Sequence, residues 1–239
     1  MRSPHGLDIV EHCAACQLRG PGYFCDFPED LLNAFEALKY SILFPKGALL
    51  FVEGQAPRGI LMICAGRVKL SDCSSEGKSL ITRIAEPGEV LGLSATISGR
   101  PYMATAETLS PCQVNFIKRE DFMRFLSEHH LACLRVAEHL SNTCYVANEQ
   151  VRSLGLSHTA AEKLARLILE WCARDGKPSD RGIQLKLTLT HEEIAQMIGS
   201  SRETVTRLLS DFKRKQLLYV KGSTFIVRNQ AALAALVSL

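Results

Sequence analysis

A chain of 239 residues suggests one large domain or two small ones, and its 46% hydrophobic and 22% charged residues argue against a disordered, collagen-like or rod-shaped protein. No apolar run approaches the roughly 18 residues that span a bilayer, and the first residues lack the apolar core of a signal peptide, so we expect a cytoplasmic protein. The net charge of +3 is uneven, because residues 160–239 hold 13 Lys and Arg against 8 Asp and Glu. This asymmetry is typical of a nucleic-acid-binding module joined to a neutral domain.

The first 30 residues form a segment rich in cysteine. Cys13, Cys16 and Cys25 lie there, whereas the other six of the nine cysteines are scattered through regions that resemble regular structure. Thiolates are the usual protein ligands of iron–sulfur clusters, and a Cys-x-x-Cys pair with a third nearby Cys can enclose one face of a cubane. The same residues also suit a zinc site, completed by a fourth thiolate or by His5 or His12, or a thiol–disulfide switch.

Residues 31–120 carry the pattern of a β-domain. Between Phe44 and Ile117, short runs rich in Val, Ile, Leu and Phe alternate with glycines at regular intervals. Turn residues at this spacing between β-rich runs predict an antiparallel sandwich or a small barrel. The SSEG turn from Ser74 to Gly77 fits one of its hairpins.

Residues 121–157 are predicted to form one long helix, because they contain no proline and no glycine before Gly155. Apolar positions recur along this helix at mixed intervals and make a loose seam. Since such a seam has more apolar surface than a small barrel can cover, we expect it to pair with a second copy of the chain. The residues assigned to this homodimer contact are Leu134, Leu140, Ala147 and Val151. A helix that packs only on its own domain is the alternative.

Residues 158–239 combine a helix, a polar loop and a short strand with a second, strongly patterned pair of helices. Thr190, with Glu193 three residues later, matches a capping box at the start of one helix, and Gly199 ends that helix. Another helix begins directly afterwards, and the hairpin LLYVKGSTFIV follows it. A helix, a tight turn with glycine and a second helix form the layout of a helix-turn-helix.

The second helix of such a motif enters the DNA major groove by its N-terminal end. In this chain Glu203 and Arg207 lie on one face of that helix, a turn apart. Arg can bond the O6 and N7 atoms of guanine, and Glu can accept from the N4 amine of cytosine. The residues predicted to contact bases or phosphates are Ser200, Ser201, Arg202, Glu203, Thr206, Arg207 and Lys213. For any single one of them, a salt-bridged surface helix is the alternative.

With these motifs together, nearly the whole chain resembles the Crp/Fnr family of bacterial transcription regulators, most specifically in the segment IAQMIGSSRETVTRLLSDFKRKQLL. The resemblance implies an α+β fold with a β-roll like that of cyclic-nucleotide-binding domains, a dimerisation helix over residues 121–157 and a C-terminal winged helix-turn-helix over residues 158–239. It also implies a homodimer on double-stranded DNA, in which Glu203 and Arg207 read the TGA core of an inverted repeat. RNA polymerase is the further partner that it implies.

The resemblance to the cyclic-nucleotide branch of the family is incomplete. That branch binds its ligand through a Gly-Glu-x-x-Gly-Glu-Leu stretch and a downstream Arg-Ser or Arg-Thr that pairs with the phosphate. Here Leu93 replaces the second Glu, and Tyr102 and Met103 stand at the Arg-Ser position. A buried cyclic phosphate without a charge partner is costly, so a cyclic nucleotide is not the expected ligand. A haem-based nitric-oxide sensor has no distinctive motif in this sequence.

The Fnr branch is more similar, since it completes an N-terminal cysteine trio with one cysteine of the β-roll. The resemblance therefore implies a [4Fe-4S] cluster, bound by Cys13, Cys16, Cys25 and Cys112, that controls the dimer in response to oxygen or nitric oxide. A redox enzyme built on the cysteines is the alternative from another class. Because the sequence has no nucleophile–base set, phosphate loop or dinucleotide fingerprint, we expect a regulator and not an enzyme.

Overall fold

The computed structural model describes residues 6–7, 9–18, 20, 23–156 and 159–237. The chain divides into two compact units, Met1–Val146 and Ala147–Leu239, with the boundary inside a long helix. His5, a candidate zinc ligand, lies outside the described residues. Within the described part of the chain, no helix is both long and apolar enough to cross a membrane.

In the first unit, a 3₁₀ turn at Cys13–Ala15 precedes the strands and α-helices. Its strands are β1 (Tyr40–Phe44), β2 (Leu49–Phe51), β3 (Gly59–Ala65), β4 (Val68–Cys73), β5 (Ser79–Ala85), β6 (Val90–Leu91), β7 (Thr105–Thr108) and β8 (Cys112–Lys118). Its helices are α1 (Glu29–Ala37), α2 (Leu93–Ser98), α3 (Arg119–Glu128) and α4 (His130–Leu156), of which α4 continues into the second unit.

The second unit contains four further helices and four strands among its described residues. The helices are α5 (Ala160–Asp175), α6 (His191–Ile198), α7 (Arg202–Arg214) and α8 (Gln230–Ala234). The strands are β9 (Lys177–Ser179), β10 (Gly182–Lys186), β11 (Leu218–Lys221) and β12 (Thr224–Val227). A 3₁₀ turn at Ala235–Val237 follows α8.

The strands of the first unit form two antiparallel four-stranded sheets, in the orders β1-β8-β3-β6 and β2-β7-β4-β5. Alternate residues of a strand face opposite sides of its sheet. One face of each sheet contributes to a buried core between them, which includes Leu61, Ile63, Cys112 and Val114 from the first sheet and Phe51, Val68 and Ala106 from the second. We call this group the inner core. The predicted β-sandwich architecture is confirmed.

The opposite face of the first sheet is covered by α1, α3 and the first turns of α4. Residues of β3, β8 and the helices pack there into a second buried group, the outer cluster, which includes Ile60, Met62, Ile117, Phe24, Phe27, Phe35, Phe122, Phe125 and Val136. Its phenylalanine rings meet edge-on or tilted, with centroids 5.5 to 6.3 Å apart. Such ring pairs add to the burial energy, so the outer cluster fixes the N-terminal segment on the roll.

The predicted single helix over residues 121–157 is wrong at its N-terminal end, where the chain forms two helices. His129 separates α3 from α4 with an extended backbone (φ −132°, ψ 98°). Its carbonyl oxygen accepts the first bonds of α4, from the N–H groups of Ala132 and Cys133 at 3.1 and 3.4 Å. Phe125 of α3 and Ala132 of α4 are both buried in the outer cluster, so packing on the roll overrides the local helical preference. Gly155, by contrast, does not interrupt α4.

The second unit is a winged helix-turn-helix, with a sheet in the order β11-β12-β10-β9 beside its helices. The predicted capping box is present, because the Glu193 N–H donates to Thr190 Oγ1 at 3.1 Å and the Thr190 N–H donates to Glu193 Oε2 at 2.7 Å. Gly199 ends α6 in the left-handed conformation, with φ +62°. Strand β9 lies in the segment that was predicted to be a polar loop, where it pairs with β10.

Candidate DNA-binding face and thiol cluster

Helix α7 presents one apolar and one polar side. Val205, Leu209 and Phe212 recur at intervals of four and three residues and are buried in the core of the second unit. The opposite side is exposed, and it carries the predicted contact residues Arg202, Glu203, Thr206, Arg207 and Lys213. The buried stripe therefore fixes the rotation of α7, and this rotation turns all five side chains to solvent.

The N-terminal end of α7 combines a capped helix start with exposed charged side chains. Ser201 caps the helix, because its Oγ accepts the Thr204 N–H at 3.2 Å. Ser200 is half-buried and donates its N–H to the Ala195 carbonyl of α6 at 2.9 Å. Hydrogen bonds from its own backbone and from Ser201 lower the pKa of Glu203, with a further contribution from the charge of Arg202. Glu203 is thus held as a carboxylate, the form that accepts from cytosine.

Thr206 connects the two helices of the motif. Its hydroxyl lies 2.8 Å from Nδ1 of His191, the first residue of α6, and also donates to the Arg202 carbonyl at 2.9 Å. From the sequence, His191 is expected only in a helix cap. Its contact with α7 is a tertiary feature that no sequence signal indicated.

The wing is the hairpin of β11 and β12, as predicted. Lys221, Gly222 and Ser223 are exposed at its tip, and Gly222 adopts the left-handed conformation with φ +58°. The Arg228 guanidinium lies 5.5 Å from the centre of the Tyr219 ring of the same hairpin. A cation stacked on an exposed ring stiffens this hairpin.

The predicted dimer contact on α4 is exposed at three of its four positions. Leu134 is 57% exposed, Val151 is 69% exposed and Ala147 is also exposed. Leu140 is different, since it is half-buried and packs against the outer cluster of its own unit. Leu131, which belongs to the same predicted apolar seam, is also exposed. The structure adds two exposed apolar residues that the sequence-based assignment missed, namely Tyr145 and Val146.

The N-terminal thiols lie together at the edge of the outer cluster. They belong to Cys13, Cys16 and Cys25. Cys13 and Cys25 are buried, and Cys16 is half-buried. Cys13 and Cys16 are joined by a 3₁₀ turn, in which the Cys16 N–H donates to the Cys13 carbonyl at 3.2 Å. Burial and the nearby thiolates of Cys16 and Cys13 raise the pKa of Cys25 to about 11.

Residues at and just beyond the C-terminal end of α1 hold the Cys13 turn. The Cys13 N–H donates to Glu36 Oε2 at 2.9 Å, and Lys39 Nζ lies 3.3 Å from Cys13 Sγ. Burial raises the pKa of Cys13 despite the opposing effect of Lys39. Lys39 also donates to the Glu11 carbonyl at 3.0 Å, so this half-buried cation contacts the segment on both sides of His12.

Cys112, the predicted fourth ligand, is not brought together with the N-terminal thiols. It is completely buried in the inner core, on the other side of the first sheet. Its Sγ lies 3.4 Å from the Arg67 carbonyl and 3.2 Å from the Ser110 carbonyl. Burial, opposed by these hydrogen-bonding groups, raises the pKa of Cys112.

Cys64 of β3, by contrast, packs against the outer cluster with Cys13 and Cys25. Burial and then the thiolates of Cys13, Cys16 and Cys25 raise the pKa of Cys64 to about 12. From the sequence, Cys64 belongs to the cysteines that are scattered through regions resembling regular structure. The signal that could have identified it is the continuous apolar run ILMICAG, because such a run is typical of a strand that is covered on both faces.

A zinc ion and an iron–sulfur cluster require different arrangements of the thiols. Among the described residues, no group of three or more His, Cys, Asp or Glu side chains is arranged to hold a single metal ion. Zinc requires its thiolates in one tetrahedron at about 2.3 Å from the ion. A [4Fe-4S] cluster separates its ligands more widely, because each thiolate binds a different iron. The buried Cys13 and Cys25 and the half-buried Cys16 have the donor chemistry that such a cluster uses.

The region that matches the cyclic-nucleotide stretch is filled by its own side chains. The Tyr102 ring is buried and stacks on Phe51 at 4.0 Å between centroids, and its hydroxyl donates to the Gly59 carbonyl at 3.2 Å. Leu93 is also buried. The carboxylate of Glu89 is paired with Arg83 at 2.7 Å and accepts the Glu86 N–H at 3.0 Å. The side chains at these positions are therefore engaged with one another and with the backbone of the roll.

Two family models match this chain. The cyclic nucleotide-binding domain matches residues 42–129, and the Crp-like helix-turn-helix domain matches residues 162–236. The fumarate and nitrate reduction regulatory protein of Salmonella typhimurium is 29% identical over 231 residues, which cover 94% of this chain and 90% of that protein. The CRP-like cAMP-activated global transcriptional regulator of Mycobacterium tuberculosis is 23% identical over 191 residues, which cover 80% of this chain and 85% of that protein.

A similar fold is found among solved structures. A CooA mutant from Carboxydothermus hydrogenoformans superposes with a TM-score of 0.74 at 22% identity, and the match covers 94% of this chain and 100% of that chain. Likeness at this level of identity shows the fold alone. The α+β fold, with an N-terminal roll, a long helix and a C-terminal helix-turn-helix, is confirmed.

Proposed function

Because this chain belongs to the Crp/Fnr family of DNA-binding transcription regulators, we propose that it controls transcription in response to oxygen or redox state. The sensing group is a [4Fe-4S] cluster bound by the N-terminal thiols. The output is DNA binding by a homodimer at an inverted repeat with TGA-containing half-sites, from which the regulator acts on RNA polymerase.

The observation that supports a sensor in the N-terminal segment is its direct connection to α4. Asp26 follows Cys25, and its carboxylate and carbonyl oxygens both accept from Arg135 of α4, at 3.0 and 3.1 Å. The Phe24 ring, on the other side of Cys25, meets His139 of α4 edge-on at 6.1 Å. A change in the position of Cys25 is therefore passed to α4 through both of its neighbours.

The homodimer is proposed from the exposed apolar side of α4. Leu134 and Tyr145 are 57% and 65% exposed, and they lie eleven residues apart, about three helical turns, on the same side of the helix. Clustered apolar exposure on a helix is typical of a protein–protein contact. A symmetric pair of α4 helices would bring two copies of α7 to one DNA, as half-sites one helical turn apart require.

The mechanism follows from these links. When bound, the cluster supplies iron sites that oxygen or nitric oxide can attack. Cys13, Cys16 and Cys25 hold their segment in the outer cluster, Arg135 links this segment to α4, and α4 carries the dimer contact. Loss of the thiol attachment removes the bias toward the DNA-binding pairing of α4, which is a population shift between two states of the dimer.

The test uses protein purified without oxygen. We expect a broad absorbance near about 400 nm, with about four irons and four labile sulfides per chain, bleached by air together with loss of tight binding to a TGA-containing inverted repeat. Cys13→Ser should lose the iron, whereas Cys73→Ser, at an exposed cysteine of β4, should behave as wild type. A Cys13→Ser protein that keeps full, oxygen-sensitive DNA binding would contradict the proposal.

A further inference from the structure

We propose that Cys64 is the fourth thiolate ligand of the cluster, in place of Cys112, and completes the set with Cys13, Cys16 and Cys25. The assignment rests on the proposed function, since it names a residue of the cluster site proposed there. The resemblance to the Fnr branch points to the Cys112 position. The packing of this chain points to a different strand.

The first argument is the face that each cysteine occupies. Along β8, Cys112 and Val114 turn to the inner core, whereas Ile117 packs in the outer cluster. Along β3, Leu61 and Ile63 belong to the inner core, whereas Met62 and Cys64 pack with the outer cluster, as the alternation of a strand requires. Cys13 and Cys25 lie in the outer cluster. Cys112 is therefore separated from them by the sheet itself, and Cys64 is on their side.

The second argument is the attachment of the N-terminal segment to the first sheet. The Val10 N–H donates to Gln113 Oε1 at 2.8 Å, and Gln113 Nε2 donates to the Val10 carbonyl at 2.7 Å. Gln113 directly follows Cys112, and successive side chains of a strand point to opposite faces of the sheet. Because the Gln113 side chain faces the N-terminal segment, the Cys112 side chain points away from it. This pair of hydrogen bonds lies three residues before Cys13. It therefore constrains where Cys13 lies along the first sheet.

The third argument is the β-bulge at Cys64. Ile63 pairs with Val114, and Ala65 pairs with Gln113, so the residue between Ile63 and Ala65 is an extra residue of the strand. Bulges re-aim a side chain and are frequent beside functional sites. Cys64 is thus placed opposite Gln113, the residue that holds the N-terminal segment.

A cation lies beside the N-terminal thiols, because Lys39 Nζ is 3.3 Å from Cys13 Sγ. A cluster with four thiolates carries net negative charge, which the Lys39 ammonium offsets.

The test compares two matched variants, Cys64→Ala and Cys112→Ala, with wild type after anaerobic reconstitution with ferrous iron and sulfide. Outer partners of a metal site alone change its affinity by roughly 10- to 100-fold, so removal of a direct ligand should lower the cluster content under limiting iron by at least about tenfold. We expect this loss in Cys64→Ala, whereas Cys112→Ala should hold as much iron and sulfide as wild type. Circular dichroism of each apoprotein checks that it is folded.

A second pair of variants tests the assignment when Ala disturbs the fold. Cys64→Ser and Cys112→Ser keep the shape of the side chain and offer an oxygen ligand. We expect the electron paramagnetic resonance spectrum of the reduced cluster to be altered or lost in Cys64→Ser and unchanged in Cys112→Ser. Cluster loss in the Cys112 variants alone, or equal loss in both pairs, would overturn the assignment of Cys64. Wild type that takes up no iron would instead overturn the proposed function itself.

Discussion

Arg207 and Lys213 are both exposed on α7, yet they suit different kinds of DNA contact. Arg207 lies near the N-terminal end of α7, the end that enters the groove in helix-turn-helix proteins, whereas Lys213 is in the last turn of α7. A planar guanidinium can bond a guanine edge bidentately, whereas an ammonium is a point charge suited to phosphate. The two side chains should therefore affect specificity and affinity separately.

For Arg207→Ala we expect a loss of about 1–3 kcal/mol in binding to the TGA-containing repeat, with relaxed specificity at one base pair. Lys213→Ala should weaken binding to all sequences alike and reduce the slope of log affinity against log salt by about one per half-site. Fluorescence anisotropy at several salt concentrations, on specific and scrambled duplexes, measures both effects. Equal losses on both duplexes for Arg207→Ala would contradict base readout by this residue.

His139 is a residue whose protonation state is tied to folding. Burial lowers its pKa, the Arg83 charge lowers it further, and the Val90 carbonyl and Glu89 oppose the shift. Its Nε2 lies 3.2 Å from the Val90 carbonyl, which identifies this nitrogen as the donor in the neutral ring. Because the folded state disfavours the proton, the unfolded chain binds it more readily.

The free energy of unfolding should therefore fall as the pH drops below about 6.5, the ordinary pKa of histidine. It should continue to fall until the pH is below the lowered pKa of His139 in the folded state. His139→Gln keeps an N–H donor and removes the titration, so its loss of stability between pH 7 and pH 5 should be smaller than that of wild type. Urea unfolding followed by circular dichroism at both pH values measures the difference. His130→Gln, at an exposed histidine, is the control and should match wild type. A His139→Gln protein with the wild-type pH dependence would refute this linkage.

At the scale of elements, the helix-turn-helix is determined by local signals that all agree. The capping box of Thr190 and Glu193 fixes the start of α6, the left-handed Gly199 fixes its end, and Ser201 begins α7. The boundary between helices α3 and α4, by contrast, has no local sequence signal. No proline or glycine marks His129, and the break exists because two aromatic residues of α3 are buried in the outer cluster.

Thr190→Ala removes one half of the capping box. It should lower the free energy of unfolding of the second unit by about 1 kcal/mol, within a range of about 0.5–2 kcal/mol. For a unit of this size, the midpoint of thermal unfolding should fall by about 4–8 °C. Trp171 is the single tryptophan of the chain and is buried in the core of the second unit, so its fluorescence reports the unfolding of that unit. Thr190→Ser retains the hydroxyl and should unfold near the wild-type temperature. A similar drop in both variants would show that the methyl group, and not the cap, is responsible.

At the scale of the whole molecule, the proposed link between sensing and DNA binding rests on the exposed apolar side of α4. Leu134→Glu places a charge in the proposed contact between two copies, where its burial without a partner is costly. We expect a shift from dimer to monomer in analytical ultracentrifugation and loss of cooperative binding to the inverted repeat. Ser75→Glu adds the same charge in the exposed β4–β5 turn and should leave the dimer intact. A Leu134→Glu protein that remains dimeric would place the contact elsewhere.

The sequence by itself determined the features that depend on neighbours in the chain. The winged helix-turn-helix follows from caps, a glycine turn and a periodic stripe within about forty residues, and the sandwich follows from regular glycines between β-rich runs. The exposure of Arg202, Glu203 and Arg207 also follows, since the buried stripe of α7 is visible in the sequence. These features need no knowledge of distant contacts.

Only the tertiary structure decided which cysteines meet. Cys13 and Cys64 are 51 positions apart, and they come together because Gln113 fastens the N-terminal segment to β8 while a bulge in β3 places Cys64 beside it. The resemblance to the Fnr branch implied Cys112, but strand alternation turns that residue to the inner core. The face of a sheet that a side chain occupies depends on strand register and on packing across the fold. The strand cysteine that packs with the N-terminal thiols could therefore be found only from the folded chain.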